Sequence, residues 1–221
     1  MGFIEKLNGM VEELMADSEI HIVHYQVVPA HLDAIIKVEL QLGHKLDNAI
    51  INFYKECGGV QLLWVNKNNT DYAKAKKFVS EKPLSDWYFK GENAEFNVDG
   101  SIWIPSIETV FLFEWNDLIN ESCDDFDESI INDYEGFRIQ PFDWFSSFYD
   151  VAFILNGTPN PLLVLGNDHQ ASYHDSNFIS FDLYFELLLK SKGAKTRVEV
   201  LETNEPRLIG SSDIEELVSV L

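Results

Sequence analysis

The densest concentration of ionisable side chains in this sequence is a run of carboxylates between Asp117 and Glu135, which includes Asp124, Asp125, Asp127 and Glu128. No Lys or Arg lies between Gly91 and Phe137. Carboxylates at this density repel one another, so the run is expected to be either an extended, solvated face or an interaction surface. Phe126, Ile130, Ile131 and Tyr134 are interspersed with the acids, and a binding patch needs apolar anchors as well as charge. Asp124, Asp125, Phe126, Asp127, Glu128 and Tyr134 are therefore the candidate partner-binding residues, weighed evenly against a plain solubility face. A calcium loop opening at Asp125 would need Gly where Ile130 stands and an acidic ligand near Ser129, so no metal is expected there.

The histidines supply less. His169 and His174 lie close to Asp168 and Asp175, but Gly166 and Asn167 place them on a loop or strand edge, and the Glu of a His-Glu-x-x-His metal site is absent. They read as surface or hydrogen-bonding residues rather than as a metal pair. No Gly-x-Ser-x-Gly elbow, phosphate-binding glycine loop or dinucleotide fingerprint occurs. No cofactor is expected. Paired carboxylates among so many acids leave a hydrolase as a remote alternative.

Charge narrows the class of partner. Against 16 Lys and Arg stand 37 Asp and Glu in 221 residues, a formal net charge of −21. Nucleic acid and anionic membrane surfaces repel such a chain, whereas a basic protein surface attracts it. Cys57 and Cys123 form neither a disulfide framework nor a metal-binding pair, and Cys57 falls on the apolar side of a helix end, where a buried thiol is expected. The opening Met1-Gly2-Phe3-Ile4-Glu5-Lys6 carries neither the apolar run of a signal peptide nor the Ser or Thr of a myristoylation motif. No uncharged apolar run approaches the ~18 residues of a membrane span. A cytoplasmic location is the expectation.

The elements that must position these residues follow from hydrophobic period. Residues 2–16 place Phe3, Leu7, Met10, Val11 and Leu14 at helical spacing. Ile20 to Val28 reads as a strand ended by Pro29. A helix from Leu32, its period running through Ile35, Ile36 and Leu40, stops at Leu42-Gly43. A third helix begins near Asp47 or Asn48 and presents Ile50, Ile51, Phe53 and Tyr54. Gly58-Gly59 closes that helix as a tight turn into a buried strand, Val60 to Val65. Residues 66–97 are polar, hold the one basic cluster (Lys67, Lys74, Lys76, Lys77, Lys82, Lys90), and read as an insertion or long loop with a short helix near 72–79. Val98 to Ile104 suggests a strand with an Asp99-Gly100 turn. The apolar run from Ser106 to Trp115 does not decide between helix and strand. Val151 to Leu155 and Leu162 to Leu165 form a hairpin around a longer loop. Ser180 to Lys190 is a helix with Phe181, Tyr184, Phe185 and Leu188 on one face, and Ser211 to Leu221 is a final helix that starts with a capping pattern, Ser212 with Glu215. Helices first, strands in the middle and helices again favour a single α+β domain over 1–221, with a mixed or mostly antiparallel sheet flanked by helices.

Residues 39–63 carry a resemblance. Glu39, Leu42 and Gly43, then Leu46, then Gly58 and Gly59 before a strand, resemble the opening of the SUKH superfamily, which includes Smi/Knr-like bacterial immunity proteins. Asp47 stands where that family usually has Pro, and Cys57 where it usually has Asn. The hairpin leading into His169–Ser180 and the following helix is similar to the family's closing strand pair and C-terminal helix. The likeness is strongest over 30–66 and 150–190, with 191–221 an extension ending in a helix. It implies a binding domain without catalytic residues, some of whose members neutralise bacterial toxins.

The expectation is therefore a protein-binding immunity protein that occludes the active surface of a basic toxin. The alternatives are a regulatory scaffold for a cellular partner and, less favoured, an uncharacterised hydrolase. One consequence is directly measurable. The negative charge removes the counterion-release term that supplies nonspecific nucleic-acid affinity. No binding to a random DNA or RNA oligonucleotide is expected at physiological salt, and a micromolar dissociation constant would contradict this.

Overall fold

The computed structural model describes residues 2–77, 97–113, 138–144, 149–155, 157, 159–167, 177–194, 197 and 207–220. Helix α1 (Phe3–Ala16) buries Leu7, Met10, Val11 and Leu14, the stripe that its three- and four-residue spacing predicts. Its first turn has backbone N–H groups with no intrahelical partner, and the Glu56 carboxylate accepts one of them, from Ile4, at 3.1 Å. Strand β1 (Ile20–Pro29) follows, then α2 (Leu32–Leu42) and α3 (Asn48–Glu56). Gly43 ends α2 with φ 74°, a left-handed conformation that glycine adopts without steric cost, and its N–H donates to Glu39 O at 3.0 Å. Asp47 caps α3, accepting from Ala49 N at 2.7 Å. Asp47, one of the two residues that depart from the resembled pattern, thus has a local task of its own.

Helix α3 runs straight into β2 (Cys57–Asn66), which pairs antiparallel with β1 on one side and with β3 (Gly100–Ile104) on the other. Gly58 and Gly59 lie inside β2 rather than in a turn, which corrects the sequence reading. What they provide is closeness. A Cβ on Gly58 would stand 2.2 Å from Pro29 O, and one on Gly59 would stand 3.0 Å from Ile104 O. Cys57 opens the strand with its thiol buried, as expected, and burial followed by the nearby Glu56 charge pushes its pKa up to about 12.

A short helix α4 (Tyr72–Ala75) follows β2. The expected Asp99-Gly100 turn precedes β3 instead of interrupting it, and Asp99 accepts from Asn66 N at 2.6 Å and Asn69 Nδ2 at 2.9 Å. The undecided apolar run becomes helix α5 (Ile107–Leu112), because Ser106 Oγ accepts from Thr109 N at 3.2 Å and caps it.

The second sheet contains β4 (Arg138–Trp144), β5 (Tyr149–Leu155), β6 (Leu163–Asn167), β7 (Asn177–Ile179) and β8 (Arg207–Leu208), in that order. Its pairings are antiparallel except the last. The expected hairpin is the β5–β6 pair. Helix α6 (Phe181–Lys190) buries Phe181, Tyr184, Phe185, Leu187 and Leu188. Helix α7 (Ser211–Val220) starts at Ser211 as expected, and at its N-terminus it is the Asp213 carboxylate that accepts, from Gly210 N at 2.7 Å. The architecture is α+β with mostly antiparallel sheets. Phe53 from α3 meets Phe142, Phe181 and Phe185 from the second half at centroid distances of 6.2, 5.6 and 5.8 Å, so the two sheets share one aromatic core.

The close approach at Gly58 yields a prediction. Gly58→Ala must push the β1 backbone away at Pro29, whereas Gly59→Ala meets Ile104 O less closely but puts a side chain on a backbone held at φ 159°, which L residues rarely adopt. Overpacking of this kind costs ~1–3 kcal/mol. The urea midpoints of Gly58→Ala and Gly59→Ala should both fall, and an unchanged midpoint for Gly58→Ala would contradict the packing described.

Candidate functional site

One cluster of charged and titratable groups among the described residues is sealed from solvent. Asp143 on β4 and Arg197, a few residues beyond α6, are both 0% exposed, with Nη2 to Oδ2 at 2.7 Å. Tyr184 Oη donates to the same carboxylate at 2.5 Å, and Trp103 N on β3 donates to its other oxygen at 2.7 Å. Arg197 Nη1 donates to Gly193 O and Ala194 O at 2.8 Å each. A register shift between Pro141 and Asp143 adds a residue to β4 and re-aims the carboxylate. Burial first, then the Asp143 charge, holds the Tyr184 phenol well above its ordinary pKa. Burial acts to lower the Arg197 pKa, but Tyr184 and Asp143 beside it raise it overall. No solvent reaches these side chains, so the cluster is structural.

The open feature is the outer face of α2. Ala34, Ile35 and Val38 are buried against the core, while Leu32, Ile36 and Leu40 are 60%, 58% and 76% exposed. Of Ile35, Ile36 and Leu40, through which the helical period runs, only Ile35 faces the core. Residues four apart lie one above another on a helix, so the three exposed side chains form a continuous apolar stripe. Beside it, between α2 and α5, lies a shallow cavity of ≈370 Å³ lined by His31, Asp33, Ala34, Lys37 and Glu108. Lys37 and Glu108 close one wall with an ion pair at 2.7 Å. At this exposure the pair contributes little to stability. It does fix the charges flanking the stripe.

Glu39, Leu42 and Gly43 form the last turn and cap of α2, Leu46 is buried in the loop before α3, and Gly58 and Gly59 lie in β2. Asp124, Asp125, Phe126, Asp127, Glu128 and Tyr134 lie outside the described residues, as do Lys82, Lys90, Cys123, His169 and His174. The signal for the stripe was present in the sequence. Leu32-Asp33-Ala34-Ile35-Ile36-Lys37-Val38-Glu39-Leu40-Gln41-Leu42 carries more apolar positions than one buried face can use. No known protein family, curated protein or solved structure matches the chain.

Among the described residues, His24 Nε2, Gln61 Nε2 and Gln140 Oε1 are buried without a hydrogen-bond partner. Burial pushes the His24 imidazole below its ordinary pKa of 6.5, and the adjoining Gln61 side chain opposes this. A depressed folded pKa means that the unfolded chain takes up the proton first. Stability is therefore full above 6.5 and falls as pH drops from there through the lower folded value. His24→Gln should flatten this part of the stability–pH curve. An unchanged slope would show that His24 titrates alike in both states.

Proposed function

We propose that the chain is a binding protein of the SUKH immunity type, which occludes the surface of a basic partner and uses the outer face of α2 as its apolar anchor. The observation that carries the reading is the Leu32–Ile36–Leu40 stripe, exposed on a chain of net charge −21. A large apolar surface held in water is unfavourable by about 25 cal/mol per Å², and contiguous exposed patches mark interaction sites. A stripe at helical spacing suits insertion into a groove on a partner protein. Like charge this large disfavours self-association and favours a basic surface, with long-range attraction acting on the encounter rate.

The SUKH resemblance of Glu39, Leu42, Gly43, Leu46, Gly58 and Gly59 supports immunity in particular, with a bacterial toxin domain as the partner. The mixed charges beside the stripe, Asp33 and the Lys37–Glu108 pair, favour a second reading, a scaffold for a less basic cellular protein. In both the protein acts without catalysing a reaction and holds no metal or cofactor.

Binding kinetics against the partner recovered from the native host test the reading. Ile36→Asp and Leu40→Asp should each speed dissociation, since a buried anchor is worth roughly 2 kcal/mol, about thirtyfold in Kd. Neutralising Asp124, Asp125, Asp127 and Glu128 to Asn or Gln should slow association from the ~10⁸ M⁻¹s⁻¹ of a steered encounter towards ~10⁵–10⁶ M⁻¹s⁻¹ and flatten its salt dependence. Unchanged rates for the α2 variants would remove α2 from the interface. A partner without toxic activity would replace immunity by the scaffold reading.

A further inference from the structure

Strand β1 ends the order β1-β2-β3, so one of its edges carries no strand among the described residues. Such an edge is a row of backbone donors and acceptors, and proteins usually guard it with charge, proline or a bulge. Here the guards sit only near the ends. Register irregularities fall between Ile22 and His24 and between Val28 and Pro29, and Ile20 to Pro29 contains no Asp, Glu, Lys or Arg. Between the two irregularities, His24 to Val28 pairs residue for residue with Leu63 to Gly59. This leaves a straight, uncharged and strand-favouring segment on the open side.

The charge lies next to it. Tyr25 Oη on β1 donates to Asn8 Oδ1 on α1 at 2.8 Å, which sets the face of α1 that borders the strand. Glu5 and Glu12 stand three residues before and four residues after Asn8, so they share that face, and both are exposed. Asp17 and Glu19, also exposed, follow at the turn into β1. Lys67 is the cation at this end, and its Nζ is engaged by Ser18 O.

The geometry points to the His24–Val28 edge as a site for strand addition by an extended, basic segment of another protein, its backbone pairing with β1 and its Lys or Arg side chains meeting Glu5 and Glu12. Alternation along a strand sends every second side chain to one face, so a segment with Lys or Arg at alternate positions places all its cations towards α1. Main-chain pairing supplies affinity, and the carboxylate rim selects the side chains. A second copy of this chain would bring two acidic rims together and is disfavoured. The site is separate from α2 and stands whether or not α2 binds a toxin.

The test uses a blocked ten-residue peptide alternating Lys and Val, and the same peptide N-methylated at alternate residues, which keeps the charge but cannot pair as a strand. The unmethylated peptide should bind roughly tenfold more tightly and slow the hydrogen exchange of alternate amides within 24–28. Glu5→Gln with Glu12→Gln should weaken it several-fold while leaving unfolding unchanged. Equal affinity for the two peptides, unaltered exchange in β1, or an undiminished affinity in the double variant would overturn the assignment.

Discussion

The fold depends on a charge pair that water does not reach. Moving a carboxylate and a guanidinium out of water costs several kcal/mol per ion, and their attraction offsets this only when every remaining donor and acceptor is met. Asp143 and Arg197 satisfy that condition with partners drawn from β3, β4, α6 and the chain just beyond it. The two sheets are joined here as well as through the phenylalanine core. Trp64 Nε1, donating to Lys192 O at 2.8 Å, adds a second polar tie between β2 and the end of α6.

A scaffold stiffened in this way can leave its unusual features outside. The apolar face of α2 and the unpaired edge of β1 lie on elements whose other sides are held, α2 by Ala34, Ile35 and Val38 and β1 by its full-length pairing with β2. Neither exposed feature contributes to the core, and neither is needed to explain the fold. A chain of net charge −21 with apolar and backbone-pairing surfaces on display combines attraction for cations with places to anchor them.

Much of this was legible in the residue order, and the failures share a cause. Helices α1, α3 and α6 declare themselves because their apolar residues fit one face each. Helix α2 is legible in its bounds, Leu32 to Gly43, but not in its buried face, since apolar side chains point both ways and period alone cannot say which set is buried. Gly58 and Gly59 read as a turn because glycine usually marks one; besides the φ of 159° at Gly59, their constraint is the nearness of Pro29 and Ile104, which belong to strands distant in sequence. The Asp143–Tyr184–Arg197 cluster gives no local signal at all. Its members are far apart in the chain, and a lone Arg in a polar stretch reads as solvated. The α+β class survives such errors because it rests on the order of elements, not on which face each one buries.

The claim that one buried pair joins the two halves is tested most directly by a double-mutant cycle on Asp143→Asn and Arg197→Met in urea. Each single change leaves an uncompensated group in the interior and should cost ~3–5 kcal/mol. The double variant should cost much less than the sum, with a coupling energy of about 2 kcal/mol or more. Single losses below ~1 kcal/mol that simply add would show that the buried pair does not join the halves.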